Sequence, residues 1–166
     1  TRSVEWVTII QELSEKLSKT EKGSVAIIAS ARATNEELYL IKLLADHFEA
    51  ITDCVPRNGE GDDFLVQPDK NPNSNGARAM GLAFSEMGIQ IPKMDEGISE
   101  GRIKTVLAFG ENISRVGMDD DLLENLDLLV VSDILNSHAA DKADFVLPSC
   151  AHVEKRGSFV NGKGRV

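Results

Sequence analysis

The chain has 166 residues, of which 42% are hydrophobic and 27% charged, and its formal net charge is −9. This is the size and composition of one ordinary folded domain, and it argues against a disordered chain. The acidic balance excludes nucleic acid as a natural partner, and no run approaches the ~20 apolar residues that cross a bilayer. We therefore expect one α/β domain over residues 1–166, with no nucleic-acid partner and no direct membrane insertion. Thr1, standing where a Met would begin a complete protein, is read as the edge of a segment cut from a larger chain. Cys54 and Cys150 match no metal spacing, and both are expected as free thiols.

Residues 4–19 read as a helix, with Val4, Val7, Ile10, Leu13 and Leu17 recurring every three or four positions. "SVAIIAS" (24–30) is continuously apolar, as befits a strand covered on both faces. A second helix starts at Thr34. Glu37 three residues later completes a capping box, and Leu38, Ile41, Leu44, Ala45 and Phe48 form its buried stripe. "AITDCV" (50–55) reads as a short strand. Residues 56–75, with Pro56, Pro68 and Pro72, read as a long irregular segment of the kind that carries function or is covered by a partner. "NGARAMGLAFSEMG" (75–88) reads as a helix ended by Gly88. Strands are expected at 104–110, 126–133 and 143–148, with short helices near 94–101, 119–125 and 136–142. The alternation implies a doubly wound, mostly parallel sheet with helices on both faces, in an order the pattern does not fix.

In such sheets ligands bind beyond the carboxyl ends of the strands. The exits to inspect are Ser30-Ala31-Arg32, Gly110-Glu111-Asn112, Ser132-Asp133 and Pro148-Ser149-Cys150. These suit a nucleotide-like ligand, though any parallel α/β domain needs such residues at its turns, so the pattern alone leaves both readings open. "IIASARATNE" contains no glycine, so a dinucleotide fingerprint is absent, and there is no P-loop. His47, His138 and His152 lie on different elements without ligand spacing. Asp119, Asp120 and Asp121 complement the dipole of a helix that begins there.

Longer strings say more. "SARATNEELYLIKLLA", "GDDFLVQPDKNPNSNGARAMGL", "VLAFGENI" and "ADFVLPSCAHVEKRGSFVNGKGRV" occur in an order that resembles the molybdopterin oxidoreductase family from about residue 24 to 166. The "DKNPN" string resembles most the branch that forms the large iron–sulfur subunit of bacterial NADH-quinone oxidoreductase, respiratory complex I. The resemblance implies a fold like the sheet domains of formate dehydrogenase and DMSO reductase, in a fragment of a longer chain. On the complex I branch the domain is a non-catalytic scaffold with no cofactor of its own. Iron–sulfur clusters then lie elsewhere in the parent, and the other subunits of the peripheral arm are its partners. That arm is cytoplasmic and peripheral to the inner face of the membrane. The alternative is a piece of a formate-dehydrogenase-like molybdoenzyme that grips a molybdopterin guanine dinucleotide. The cofactor-facing residues implied are Glu111, Asn112, Ser132, Asp133, Asn161 and Arg165. Departures are visible: Asp133 leads into Ile134-Leu135-Asn136, and the tail is more basic than in relatives. Cys54 is the single thiol near the position of the molybdenum ligand.

Overall fold

A computed structural model of the chain describes residues 3–62 and 64–166. Thr1 and Asp63, both used in the reading above, lie outside the described residues. Five strands build one sheet: β1 (Val25–Ala29), β2 (Ile51–Cys54), β3 (Thr105–Phe109), β4 (Leu128–Asp133) and β5 (Phe145–Pro148). All pairings are parallel and the spatial order is β2-β1-β3-β4-β5. The α/β, parallel-sheet expectation therefore holds. The order reverses between β1 and β3, which sets Ala29 beside Phe109 at their carboxyl ends. That is the switch point at which doubly wound folds open a crevice.

β1 is apolar along its whole length, and the centres of β3 and β4 are apolar too, because both faces of the sheet are covered. On one face, Val25, Ile27, Ala29, Leu107, Leu128 and Val130 pack against α1 (Trp6–Leu17), α2 (Asn35–Phe48) and α3 (Ser74–Ala79). On the other, Ala26, Ile28, Val106, Ala108, Leu129 and Val131 meet α4 (Ile91–Ser99), α5 (Asp120–Leu123) and α6 (His138–Lys142). Successive strand residues thus alternate between two cores, as the period of two requires. Among the described residues no helix is long and apolar enough to cross a membrane.

Local signals were legible to different degrees. The capping box is present: the Glu37 amide donates to Thr34 Oγ1 at 3.2 Å, and the Thr34 amide to Glu37 Oε2 at 2.8 Å. Asp119 caps α5 through the Leu122 amide. Two helices differ from expectation. In α1, Val7 and Ile10 are exposed, while Leu13 is buried and Ile9 and Leu17 pack on the core. The segment carries two apolar stripes, and the sheet covers only one. The helix expected over 75–88 stops at Ala79. Gly81 takes a left-handed φ of 72°, and the Leu82 amide turns back to the Ala77 carbonyl at 3.0 Å, which closes the helix. Residues 82–90 then run as turns, with Leu82 and Met87 still buried.

Candidate functional site

The exits of β1, β3, β4 and β5 surround a cleft of about 340 Å³, near the lower end of the ~300–1,000 Å³ of ligand pockets. Its polar floor comes from Ser30, Gly110, Ser132, Asp133 and Ser149. The wall formed by α2 is apolar, contributed by Leu40, Ile41 and Leu44, and Phe109 and Ile134 extend it. Leu44, expected in the core, therefore serves this wall. Charged groups stand at the rim: Arg32 donates to the Gly110 carbonyl at 2.5 Å and to Ser30 Oγ at 3.2 Å. Lys155 donates to both oxygens of Glu37, at 2.8 and 3.0 Å. Burial works to raise the Glu37 carboxyl, but the Lys155 ammonium and the Thr34 amide outweigh it and hold it below the usual carboxylate range.

Of the residues implied as cofactor-facing, Ser132 and Asp133 line the cleft, and Glu111, Asn112, Asn161 and Arg165 do not. Asp133 Oδ1 accepts from the Ile134 amide at 2.7 Å, and no described residue donates to Oδ2. Glu111 is only 2% exposed and turns inward, gripping Arg57 through two bonds of 2.7 Å each. The pairing raises the Arg57 pKa, with the nearby Asp133 carboxylate adding to the effect. Asn112 Oδ1 is buried without a partner among the described residues. The Asn161 side chain closes its own turn, accepting from the amides of Lys163 (2.9 Å) and Arg165 (3.0 Å).

The "NPNSNGA" string has a structural explanation. Asn73 Nδ2 donates to the Ala33 carbonyl (2.8 Å) and to Asn35 Oδ1 (3.0 Å), and its Oδ1 accepts from the Val160 amide (2.8 Å). Asn75 donates to the Asn161 carbonyl at 2.7 Å. Gly76 is required there, because a Cβ would lie 2.3 Å from both Asn35 Oδ1 and Asn73 Oδ1. These asparagines join the β1 exit, α3 and the C-terminal tail at the side of the cleft.

Both cysteines are free. Cys54 is buried, and burial, reinforced by the Asp53 and Glu111 carboxylates, pushes its thiol up to about 12. Cys54 is fully buried and does not line the cleft. Cys150 is exposed at the cleft. Sequence reasoning missed the apolar wall. Its signal was present in Leu40, which exceeds the single stripe that a helix needs for its core face.

Comparison with known proteins places these features in context. The family model for molybdopterin oxidoreductases matches residues 51–166. YrhE of Bacillus subtilis, named as a formate dehydrogenase, is 37% identical over 83 residues, which cover 48% of this chain and 8% of that protein. Formate dehydrogenase 1 subunit alpha of Methanococcus maripaludis, named as F420-dependent, is 36% identical over 84 residues (48% of this chain, 12% of the relative). A Staphylococcus aureus protein also named as a formate dehydrogenase is 35% identical over 78 residues, 45% of this chain and 8% of its own. The chain thus matches only a small part of each relative's length. With the matched segment running from β2 through β5 and the tail, the chain belongs to the molybdopterin oxidoreductase family.

Proposed function

We propose that this chain is the nucleotide-gripping part of a formate-dehydrogenase-like molybdopterin oxidoreductase, and that the cleft takes the guanine end of a molybdopterin guanine dinucleotide. One observation carries the reading: at the switch-point cleft, Asp133 presents a carboxylate oxygen with no donor among the described residues. The donor set fits the group. A carboxylate accepts from both the ring N–H and the amino group of guanine, and the apolar wall of Leu40, Ile41 and Leu44 offers the base a dry face. Arg32, anchored at the rim, is placed to meet a phosphate. Arg165 lies away from the cleft, so the phosphate-facing role moves from it to Arg32. When bound, the molybdenum centre supplies two-electron redox chemistry. Asp133, Arg32 and the α2 wall bind and orient its nucleotide end.

The test is calorimetric binding of guanosine diphosphate and inosine diphosphate, which differ by the amino group that Asp133 would accept from. Wild-type protein should prefer the guanosine form by about tenfold or more, as one charge-assisted hydrogen bond gives, and Asp133→Asn should erase that preference. Equal affinity of the wild type for both nucleotides would sink the assignment.

A second reading has its own observation. The Cys54 thiol is fully buried and does not line the cleft, which favours a domain without molybdenum chemistry, acting as a packing scaffold in the peripheral arm of complex I. Stoichiometric molybdenum in the intact parent subunit would remove this scaffold reading. Absence of both metal and pterin would remove the first.

A further inference from the structure

Residues 149–166 follow the last strand without regular helix or strand, and none of them is buried. Beyond the Ser149 amide, which donates to the Asp133 carbonyl at 3.1 Å, they are held by polar contacts around the first turn of α2 and its asparagine neighbours. Glu36 accepts from the Ser158 amide (2.9 Å) and hydroxyl (2.8 Å), and the Asn35 amide donates to the Ser158 carbonyl at 2.9 Å. Lys155 grips Glu37, and Val160 and Asn161 close on Asn73 and Asn75. Gly157 passes so close to α2 that an added Cβ would lie 2.5 Å from Thr34 Cβ and Cγ2 and 2.7 Å from Glu36 Oε2. The same segment supplies Ser149, Cys150, Ala151, His152 and Lys155 to one side of the cleft. A segment that buries little and hangs on a few polar contacts belongs to the low-stability end of a fold and opens without global unfolding.

We propose that residues 149–161 form a clasp, fastened to α2 by Glu36, Glu37 and Asn73, which opens to admit the cleft's ligand and recloses beside it. The identity of that ligand rests on the nucleotide reading above. The clasp itself rests on these contacts. In the closed state Ser158 occupies the Asn35 amide at the α2 N-terminus, a position that otherwise attracts anions. Closure and ligand binding are linked because bound ligand and closed clasp share the residues at 149–155.

The tail carries trypsin sites at Lys155, Arg156, Lys163 and Arg165, and cleavage in this regime follows the population of the open form. The experiment is limited trypsinolysis of the intact chain, reading the product that ends at Arg156, for wild type, Gly157→Ala and Glu36→Gln. Both variants should be cut about tenfold faster, with the thermal midpoint of the sheet domain unchanged. Saturating guanosine diphosphate should slow cutting of the wild type and protect Gly157→Ala much less. Equal cutting of wild type and both variants overturns the clasp. Nucleotide that binds by calorimetry yet leaves wild-type cutting unchanged overturns its linkage to the cleft. Nucleotide that does not bind at all overturns the nucleotide reading and the linkage with it, while the contrast between wild type and variants still decides the clasp.

Discussion

Replacing Arg57 by methionine would test how the β2 and β3 exits are held together. The Glu111 carboxylate is 2% exposed in its side chain, and Arg57 satisfies both of its oxygens at 2.7 Å. Methionine keeps much of the apolar stem and removes the charge, leaving a buried carboxylate without a partner. Breaking one half of a buried pair costs ~3–5 kcal/mol. The Arg57 side chain keeps 32% exposure, so water reaches the abandoned site and we take about 3 kcal/mol as the expected loss. For a chain of this size that corresponds to a thermal midpoint lower by about 6–12 °C. Urea unfolding followed by circular dichroism measures the loss directly. The double variant Arg57→Met, Glu111→Leu removes both charges and should return to within about 1 kcal/mol of wild type, because apolar replacement of a whole pair is nearly neutral. A single variant that loses less than about 1 kcal/mol, or a double variant no better than the single, would refute the reasoning.

Two further outcomes are expected. A thiol reagent at neutral pH should label one cysteine per native chain, Cys150, and reach Cys54 only after denaturation, because burial pushes the Cys54 thiol to about 12; rapid labelling of both would contradict this. The clasp should weaken in acid: the Ser158 amide holds the Glu36 carboxyl at about 2, below its ordinary 4.5. A lowered folded-state value means that the contact's contribution is whole above 4.5 and is lost as pH falls through about 2. The Ser158 amide resonance should therefore titrate with a midpoint near 2, and Glu36→Gln should abolish the transition; a midpoint at the ordinary carboxylate value would show that the contact is not made.

Where an element's whole explanation was local, it could be read from the sequence. The Thr34–Glu37 box and the unbroken apolarity of β1 are statements about neighbours along the chain; the box gave the start of its helix, and the apolar run gave the type and burial of its strand. Where the explanation was tertiary, reading was poorer. Which stripe of α1 is covered depends on where the sheet lies, and the end of α3 depends on Gly81 turning the chain while Leu82 and Met87 still reach the core. The site divided in the same way. Ser132 and Asp133 follow from lying at a strand exit. Glu111 sits at one too, yet its role is set by Arg57, 54 positions away in sequence, and no pattern around either residue announces the pair.

The strand order also bears on how the chain is made. β1 lies inside the sheet, and its Val25 stands opposite Thr105 of β3, with β2 alone available as a partner until β3 emerges. At ribosomal rates of about 5–20 residues per second, those 80 positions (105 − 25) take about 4–16 s to synthesise. Through that interval "VAIIA" has one flank unpaired, a short apolar segment of high strand propensity and no charge. Lys22 and Arg32 put a charge on either side of it, the positions at which charged residues oppose aggregation of an apolar strand.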